Sequence, residues 1–443
     1  INSWNHTLSY KFKDNYSIKF YQEFYQSKTT QYNQIFSMDT FDYITILDSP
    51  LSRYNGNTYK IKFEGNLNEK SFLKVALHTE SYTKKYFYPY YYNTNFIEDG
   101  DEFKQGDLKH TEFQLQYNYR TDYHTRLIGL EYINDIYSAF NIYSEDGEIL
   151  HESIFSGENT THRRTQYSLF LHDQFIISDK NQFALGLRYI NNGKIIGSAS
   201  YLLKHKSGYN IRTTLSSGYR EPSLKELYYE WVDHEPHIYG NPNLESTTNN
   251  NFSVSFDKRT PLNDFSIDFY INDIENMIST EYADEGLVYK NYNNVIINGI
   301  NIHYSREINK NSNIRFVYNY TSPESSSDEI LEGISNHAFR MNYSRKLNNY
   351  LDIAFIIKYA GEKNNFDQEE DWIGAESIKL LEAYWLSDLI FYSKLNSTVD
   401  LKFGIKNLFN YKDPSRLDLS ESDILNTYDP GRRFYFELQL KLN

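Results

Sequence analysis

Hydrophobic and polar residues alternate along nearly the whole chain. From 434 to 442, Phe434, Phe436, Leu438, Leu440 and Leu442 interleave with Tyr435, Glu437, Gln439 and Lys441. From 399 to 406, Val399, Leu401, Phe403 and Ile405 interleave with Asp400, Lys402, Gly404 and Lys406. Phe265, Ile267, Phe269 and Ile271 alternate with Ser266, Asp268, Tyr270 and Asn272, and Phe113 to Tyr119 repeat the pattern. Successive side chains of a strand point to opposite faces, so a two-residue period marks a sheet with one apolar and one polar face.

The pattern predicts nineteen strands. In the first half they lie near 6–13, 16–26, 57–66, 70–82, 109–119, 123–136, 164–177, 181–191, 194–205 and 208–219. The second half gives 247–257, 264–273, 295–307, 312–320, 335–346, 349–359, 384–394, 397–406 and 430–442. Many reach the ~9–11 residues of a tilted membrane-crossing strand, about twice the usual globular length. Connectors sort by size. Polar turns such as KDNY, NLNEK, SDKNQ and KLNN alternate with long segments at 27–55, 83–108, 137–163, 220–246, 274–294, 321–334, 360–383 and 407–429; INNGK near 190 is the one short connector on the long side. Tight turns at one end and large loops at the other are the arrangement of an outer-membrane barrel. Lipid cannot satisfy an open sheet edge, so a spanning sheet closes. The predicted fold is therefore all-β: one large antiparallel transmembrane β-barrel domain over 1–443. A soluble propeller or sandwich also has many alternating strands, but needs neither this length nor this sorting.

Composition agrees. The chain holds 43 Tyr and 29 Phe, as aromatic girdles at two interfaces require. A polar lumen reconciles a membrane protein with a mean hydropathy of −0.68. The net charge of −14 speaks against a nucleic-acid partner, which needs clustered Lys and Arg. With no cysteine there is no disulfide framework, thiolate metal site or Cys nucleophile. No apolar run approaches the ~18 residues of a spanning helix, and no signal peptide opens the chain. P-loop, HExxH, GxSxG and paired-carboxylate motifs are missing, so an enzyme is not expected.

The candidate chemistry lies in GYREPSLKELYYEWVDHEPHIYGNPNLEST, residues 218–247. Its ends are YREP and NPNL. Between them lie His234 and His237 with Tyr228, Tyr229, Trp231 and Tyr239. Aromatic residues in a loop suggest binding. Pro222 and Pro242 fix φ and lack a donor, which suits strand-to-loop transitions. Arg220 at the rim is read either as a ligand contact or as the partner of a lumenal carboxylate.

GYREPSLKELYY with GNPNLEST, FYINDIENMI with NYNNVIINGINIHY, and GIKNLFNYKD with YDPGRRFYFELQLKLN resemble the C-terminal barrel of TonB-dependent outer-membrane receptors, the group that takes up haem, siderophores or cobalamin. These matches cover roughly 210–443; the first 200 residues match only as alternating strands. The resemblance implies about 22 strands around a plug, whereas this chain shows nineteen and no plug. An N-terminally incomplete sequence is expected, lacking the plug, the TonB-contacting segment and three strands. Family barrels also tend to end on an aromatic residue, and here Leu442 is followed by Asn443.

The implied function is import of an iron-bearing nutrient, first of all haem, across the outer membrane of a Gram-negative bacterium. The TonB energy-coupling complex would act through the plug. Outer-membrane lipid and a surface lipoprotein are the other expected partners. No cofactor is permanently bound, and haem is the transported ligand. In haem receptors of the family a histidine between the two boxes ligates iron. The resemblance gives that role to His234, with His237 second. Neutral imidazole is a common ligand to haem iron. Tyr228, Tyr229, Trp231 and Tyr239 would supply flat walls, and Asp233 or Glu235 would accept from the second ring nitrogen. The alternative is a pair of solvated loop histidines. A siderophore receptor would use aromatic and Arg contacts, and a cobalamin receptor needs no histidine there. Outside the group stand a passive porin and a non-transporting barrel or adhesin.

Other stretches carry less. His151 and His162, near Arg163 and Arg164, are expected on a solvated face. His303 is expected to be lumenal and structural. The aromatic run 86–96 reads as girdle rather than vestibule. The acidic run 364–371 lacks calcium-loop spacing and reads as a solvated loop.

Overall fold

The computed structural model describes residues 2–13, 15–29, 32–37, 42–47, 51–88, 100–145, 148–153, 161–228, 230–231, 238–283, 286–325, 334–367, 377–396, 398–412 and 431–440. Nineteen strands run in chain order, each antiparallel to the next. They are β1 (Asn2–Phe12), β2 (Tyr16–Lys28), β3 (Leu51–Asn68), β4 (Ser71–Phe87), β5 (Glu102–Arg120), β6 (His124–Glu145), β7 (His162–Ile176), β8 (Asn181–Ile190), β9 (Ile195–Lys204) and β10 (Tyr209–Arg220). Then follow β11 (Thr247–Arg259), β12 (Asn263–Ala283), β13 (Gly286–Asn309), β14 (Ser312–Ser325), β15 (His337–Lys346), β16 (Leu351–Ala360), β17 (Tyr384–Lys394), β18 (Val399–Lys406) and β19 (Arg433–Leu440). The hydrogen-bonded sheet has 22 strands in all; the remaining three are short loop strands, Glu148–Ser153, Glu230–Trp231 and Ile238–Tyr239. Among the described residues, β1 pairs with β2 alone and β19 with β18 alone.

Register converts the sequence alternation into two surfaces. Leu8, Phe20, Ile61, Leu77, Phe113, Tyr132 and Tyr167 lie opposite one another in a single row across β1 to β7. Large apolar residues of this row stand open, with Leu8 64% and Tyr167 53% exposed. In water such a row would be an aggregation hazard; facing hydrocarbon it is the required surface. The adjacent row, Thr7, Tyr21, Lys60, His78, Glu112, Ile133 and Gln166, turns the other way and is mostly polar. Few described apolar residues are buried, among them Ala139, Leu244 and Val295. A barrel wall one strand thick has no globular core to fill. Among the described residues no helix is long and apolar enough to cross a membrane, and the crossing elements are strands.

The strands are longer than their apolar segments predict. β12 has 21 residues and β13 has 24, so the segment 274–294 expected as a loop is a β-hairpin paired up to Ala283 and Gly286. β3 to β6 extend in the same way. On β4 the outward positions above Leu77 are Thr79, Ser81, Thr83 and Lys85. Beyond the lipid both faces meet water, the alternation fades, and only backbone pairing remains to mark the strand. Two further hairpins, Tyr32–Ser37 with Asp42–Leu47 and Lys363–Asp367 with Ser377–Leu381, lie in the segments read as loops. The second includes part of the acidic run 364–371, whose residues 368–371 lie outside the described residues.

Candidate functional site

The YREP and NPNL boxes form one hydrogen-bonded junction. β10 ends at Arg220 and a five-residue helix, α1 (Leu224–Tyr228), follows. Ser223 caps it. The Glu226 amide donates to Ser223 Oγ (3.2 Å) and the Ser223 amide to Glu226 Oε2 (2.7 Å), a reciprocal capping box. Arg220 Nη1 donates to both Glu226 carboxylate oxygens, at 3.0 and 2.9 Å. Arg220 thus pairs with a carboxylate, but one on the loop helix and not one of the lumen wall. The Asn241 amide donates to the Glu226 carbonyl (2.8 Å), tying NPNL to α1.

The second box is fixed to the β12–β13 hairpin. Asn241 Nδ2 donates to the Tyr289 carbonyl (3.0 Å). Asn291 Oδ1 accepts from the Glu245 amide (2.8 Å), while its Nδ2 donates to the carbonyls of Glu245 (3.0 Å) and Asn276 (2.9 Å). Asn276 has φ 53° at a point where the pairing passes from Glu275↔Asn294 to Met277↔Tyr292. It is a left-handed residue at an irregularity, a conformation Asn tolerates better than most side chains. Its Nδ2 donates to Glu245 Oε2 (2.8 Å).

The loop leaves this junction against the inner wall. Tyr228 lies flat on the His162 ring, with centroids 3.8 Å apart and 14° between planes. Tyr137, Tyr228 and Ile238 pack on buried Ala139. Ile238–Tyr239 pairs antiparallel with Glu230–Trp231 and parallel with Leu287–Val288. Cations gather nearby. Lys84 sits 5.1 Å from the Tyr86 ring centroid; burial, and then the Lys225 charge, hold its ammonium below the usual lysine range. Burial, reinforced by the Glu226 charge, pushes the Tyr289 phenol up, and burial with neighbouring tyrosines pushes Tyr82 up to about 12.

Of the residues singled out in the sequence, Arg220, Tyr228 and Tyr239 meet at this junction, and Trp231 joins it through its backbone pairing. Tyr229, Asp233, His234 and His237 lie outside the described residues. His162, expected on a solvated face, is the histidine that stacks on the loop. Its partner could have been found only by knowing that β7 starts beside the place where α1 docks. Arg164 instead pairs with Asp135. His303 lies opposite Ser266 and Val317, in register with the polar face, as expected. A concavity of about 420 Å³ between Lys346, Tyr350, Tyr392, Lys402 and Glu437 lies at the opposite, short-turn end of the sheet and contains none of these residues.

A one-layer antiparallel sheet with an apolar outer face, a polar inner face and ordered loops at one end defines a membrane-spanning receptor barrel. The chain matches the model described as TonB dependent receptor-like, beta-barrel over residues 3–408, and it belongs to that family. Family members are transport receptors of the Gram-negative outer membrane that couple to TonB. The fold is shared with the siderophore receptor PirA from Acinetobacter baumannii, at TM-score 0.77 and 14% identity, over 99% of this chain and 70% of that one. A mutant of the ferric enterobactin receptor PfeA from Pseudomonas aeruginosa gives 0.74 and 14%, over 99% and 69%. The copper transporter OprC gives 0.74 and 11%, over 99% and 71%. At these identities the likeness concerns fold alone. No curated protein matches by sequence.

Proposed function

We propose that this chain is the ligand-capturing barrel of a receptor that imports an iron-bearing nutrient, haem before others. One observation carries the reading. The loop between the YREP and NPNL boxes is anchored at Tyr228 and at Ile238 on the same wall cluster, and the segment between these anchors carries His234 and His237. An aromatic-walled site with a neutral imidazole suits a porphyrin iron. Lys84 and Lys225, close enough to influence one another, would face its propionates. His234 is the proposed axial ligand and His237 its substitute, with Tyr229 and Trp231 against the ring and Asp233 orienting the imidazole. Transport would be driven by TonB acting through a plug. Lipid would cover the apolar rows, and a surface lipoprotein would deliver the ligand.

A second reading is a ferric siderophore. It is favoured by the siderophore and ferric enterobactin receptors among the proteins of like fold, and by cationic and tyrosine side chains that suit an anionic aromatic chelate. A haem titration of the folded receptor in detergent, read at the Soret band, separates the two. A saturating shift that weakens in His234→Ala or His237→Ala supports haem and names its anchor. An unshifted band in the wild type removes haem and leaves the siderophore reading.

A further inference from the structure

We propose that His78, His110 and Glu112 form a transition-metal site on the inner wall of the barrel, suited to Zn²⁺, Cu²⁺ or Ni²⁺. It is separate from the loop histidines and goes beyond the import reading. Each of the three residues offers one ligand atom, and these atoms all lie within 4.8 Å of one another. Two imidazoles and a carboxylate are the donor set that borderline divalent ions select. With bonds of about 2.0–2.2 Å to a common centre, small side-chain rotations bring the three onto one ion.

Register, not chance proximity of mobile side chains, sets the cluster. His78 on β4 lies opposite Glu112 on β5, and Glu80 lies opposite His110 in the next row inward-facing on the same strands. The two histidine rings are 5.4 Å apart at 62°.

The outer shell is already built. His110 Nδ1 is 2.7 Å from Asp135 Oδ1. An ionised carboxylate only accepts, so Nδ1 carries the proton and the lone pair is left on Nε2. Asp135, itself buried, is held in turn by Arg164 through Nε (3.1 Å) and Nη2 (2.5 Å). A carboxylate that orients a histidine is the usual support of a metal ligand. His78 supplies an independent sign: its Nε2 is buried and makes no hydrogen bond, with the nearest carboxylate oxygen, on Glu80, at 3.8 Å. A buried imidazole nitrogen without a partner is costly unless something binds it. Glu80 is the available fourth ligand. Among the described residues Lys60, opposite His78, is the cation in the same row, and the carboxylates of Glu80 and Glu112 each lie 3.8 Å from a His78 ring nitrogen.

His110 and its supports Asp135 and Arg164 lie one inward-facing step below the loop junction, and His78 and Glu112, in register with Ile133, lie one step further down. Each step is about 7 Å of strand.

The test is a Co²⁺ titration of the untagged folded receptor in detergent micelles, read through the visible d–d bands, with heat-modifiable gel mobility as the check on folding. The proposal expects one saturable equivalent in the wild type, no such bands in His78→Ala or His110→Ala, and no change in His234→Ala or His237→Ala. As a positioning residue, Asp135→Asn should weaken binding about 10–100-fold and shift the bands. In the wild type, Zn²⁺ should protect His78 and His110 from carbethoxylation, a readout that needs no variant. Wild-type bands that persist in a folded His78→Ala/His110→Ala double variant overturn the site, as does modification of both histidines at full rate under saturating Zn²⁺. Either result leaves the haem titration untouched.

Discussion

Asn407 shows how one residue can hold a strand end. It sits in the NLFN stretch after β18 with φ 51° and is 1% exposed. Its side chain donates to the Tyr411 carbonyl (2.7 Å) and accepts from the Tyr411 amide (2.8 Å), while its own amide donates to Asp388 Oδ1 (3.0 Å). Asn407→Leu removes both side-chain bonds and puts a bulky residue in the left-handed region. Each buried group left unpaired costs about 1–3 kcal/mol, so the urea midpoint of the folded barrel should fall. Asn407→Asp, which keeps the acceptor, should fall between. Lys84 makes a prediction of opposite sign. Its folded pKa is depressed, whereas in the unfolded chain it titrates as an ordinary lysine. Between the two values the unfolded state binds more protons, so stability rises with pH through that window and is lowest below it. Lys84→Met should raise the urea midpoint at neutral pH and flatten the alkaline rise; an unchanged midpoint would mean the ammonium is well solvated. At this scale the site was only partly legible. Arg220, Tyr228 and Tyr239 carry visible chemistry in the sequence. His162 does not, because its importance lies in a stack with a residue 66 positions away.

At the scale of elements, the strands were legible wherever one face meets lipid. All nineteen follow from apolar alternation, as at Phe265–Ile271. The extensions were not, because above Ile271 the apolar residues, such as Ile274, Met277, Ile278, Leu287, Val288 and Tyr292, fall at irregular spacing and the period-two signal is lost. The hairpin is held there by backbone pairing and by Asn276 and Asn291, neither of which announces a strand. Lower in the same hairpin, close approach of backbone and ring is visible. A Cβ placed on Gly299 would collide with the Tyr270 ring of the neighbouring strand, whose hydroxyl lies 3.3 Å from Thr321 Oγ1. Tyr270 therefore covers the glycine and bridges β12 to β14. Gly299→Val should displace the ring and cost about 1–3 kcal/mol, seen as a lower yield of folded, heat-modifiable barrel. Adding Tyr270→Ala should restore part of it. If the double variant folds no better than the single one, the ring is not the obstacle.

For the whole molecule, the decisive property is which end of the sheet faces the cell exterior. The loop junction, the metal cluster and the cationic patch matter to capture only if the long connectors are outside. Connector size argues for this: Lys204–Tyr209 and Lys346–Leu351 close in tight turns, while β12–β13 and β14 run well past the apolar rows at the other end. These 443 residues hold no cysteine, so an introduced thiol is the only one in the barrel segment and the orientation becomes measurable. Glu281→Cys and Glu324→Cys place it on exposed positions of the long end, and Lys206→Cys and Asn348→Cys on exposed positions of the short turns. A maleimide carried on a large hydrophilic polymer is too bulky for porin channels and cannot cross the outer membrane. On intact cells it should modify the first pair and spare the second, and permeabilising the outer membrane should make all four reactive. Exposed surface substitutions of this kind change stability by little, so the labelling reports topology and not damage. The reverse pattern would put Tyr228, His162 and Arg220 on the periplasmic side, where they could not meet a nutrient arriving from outside.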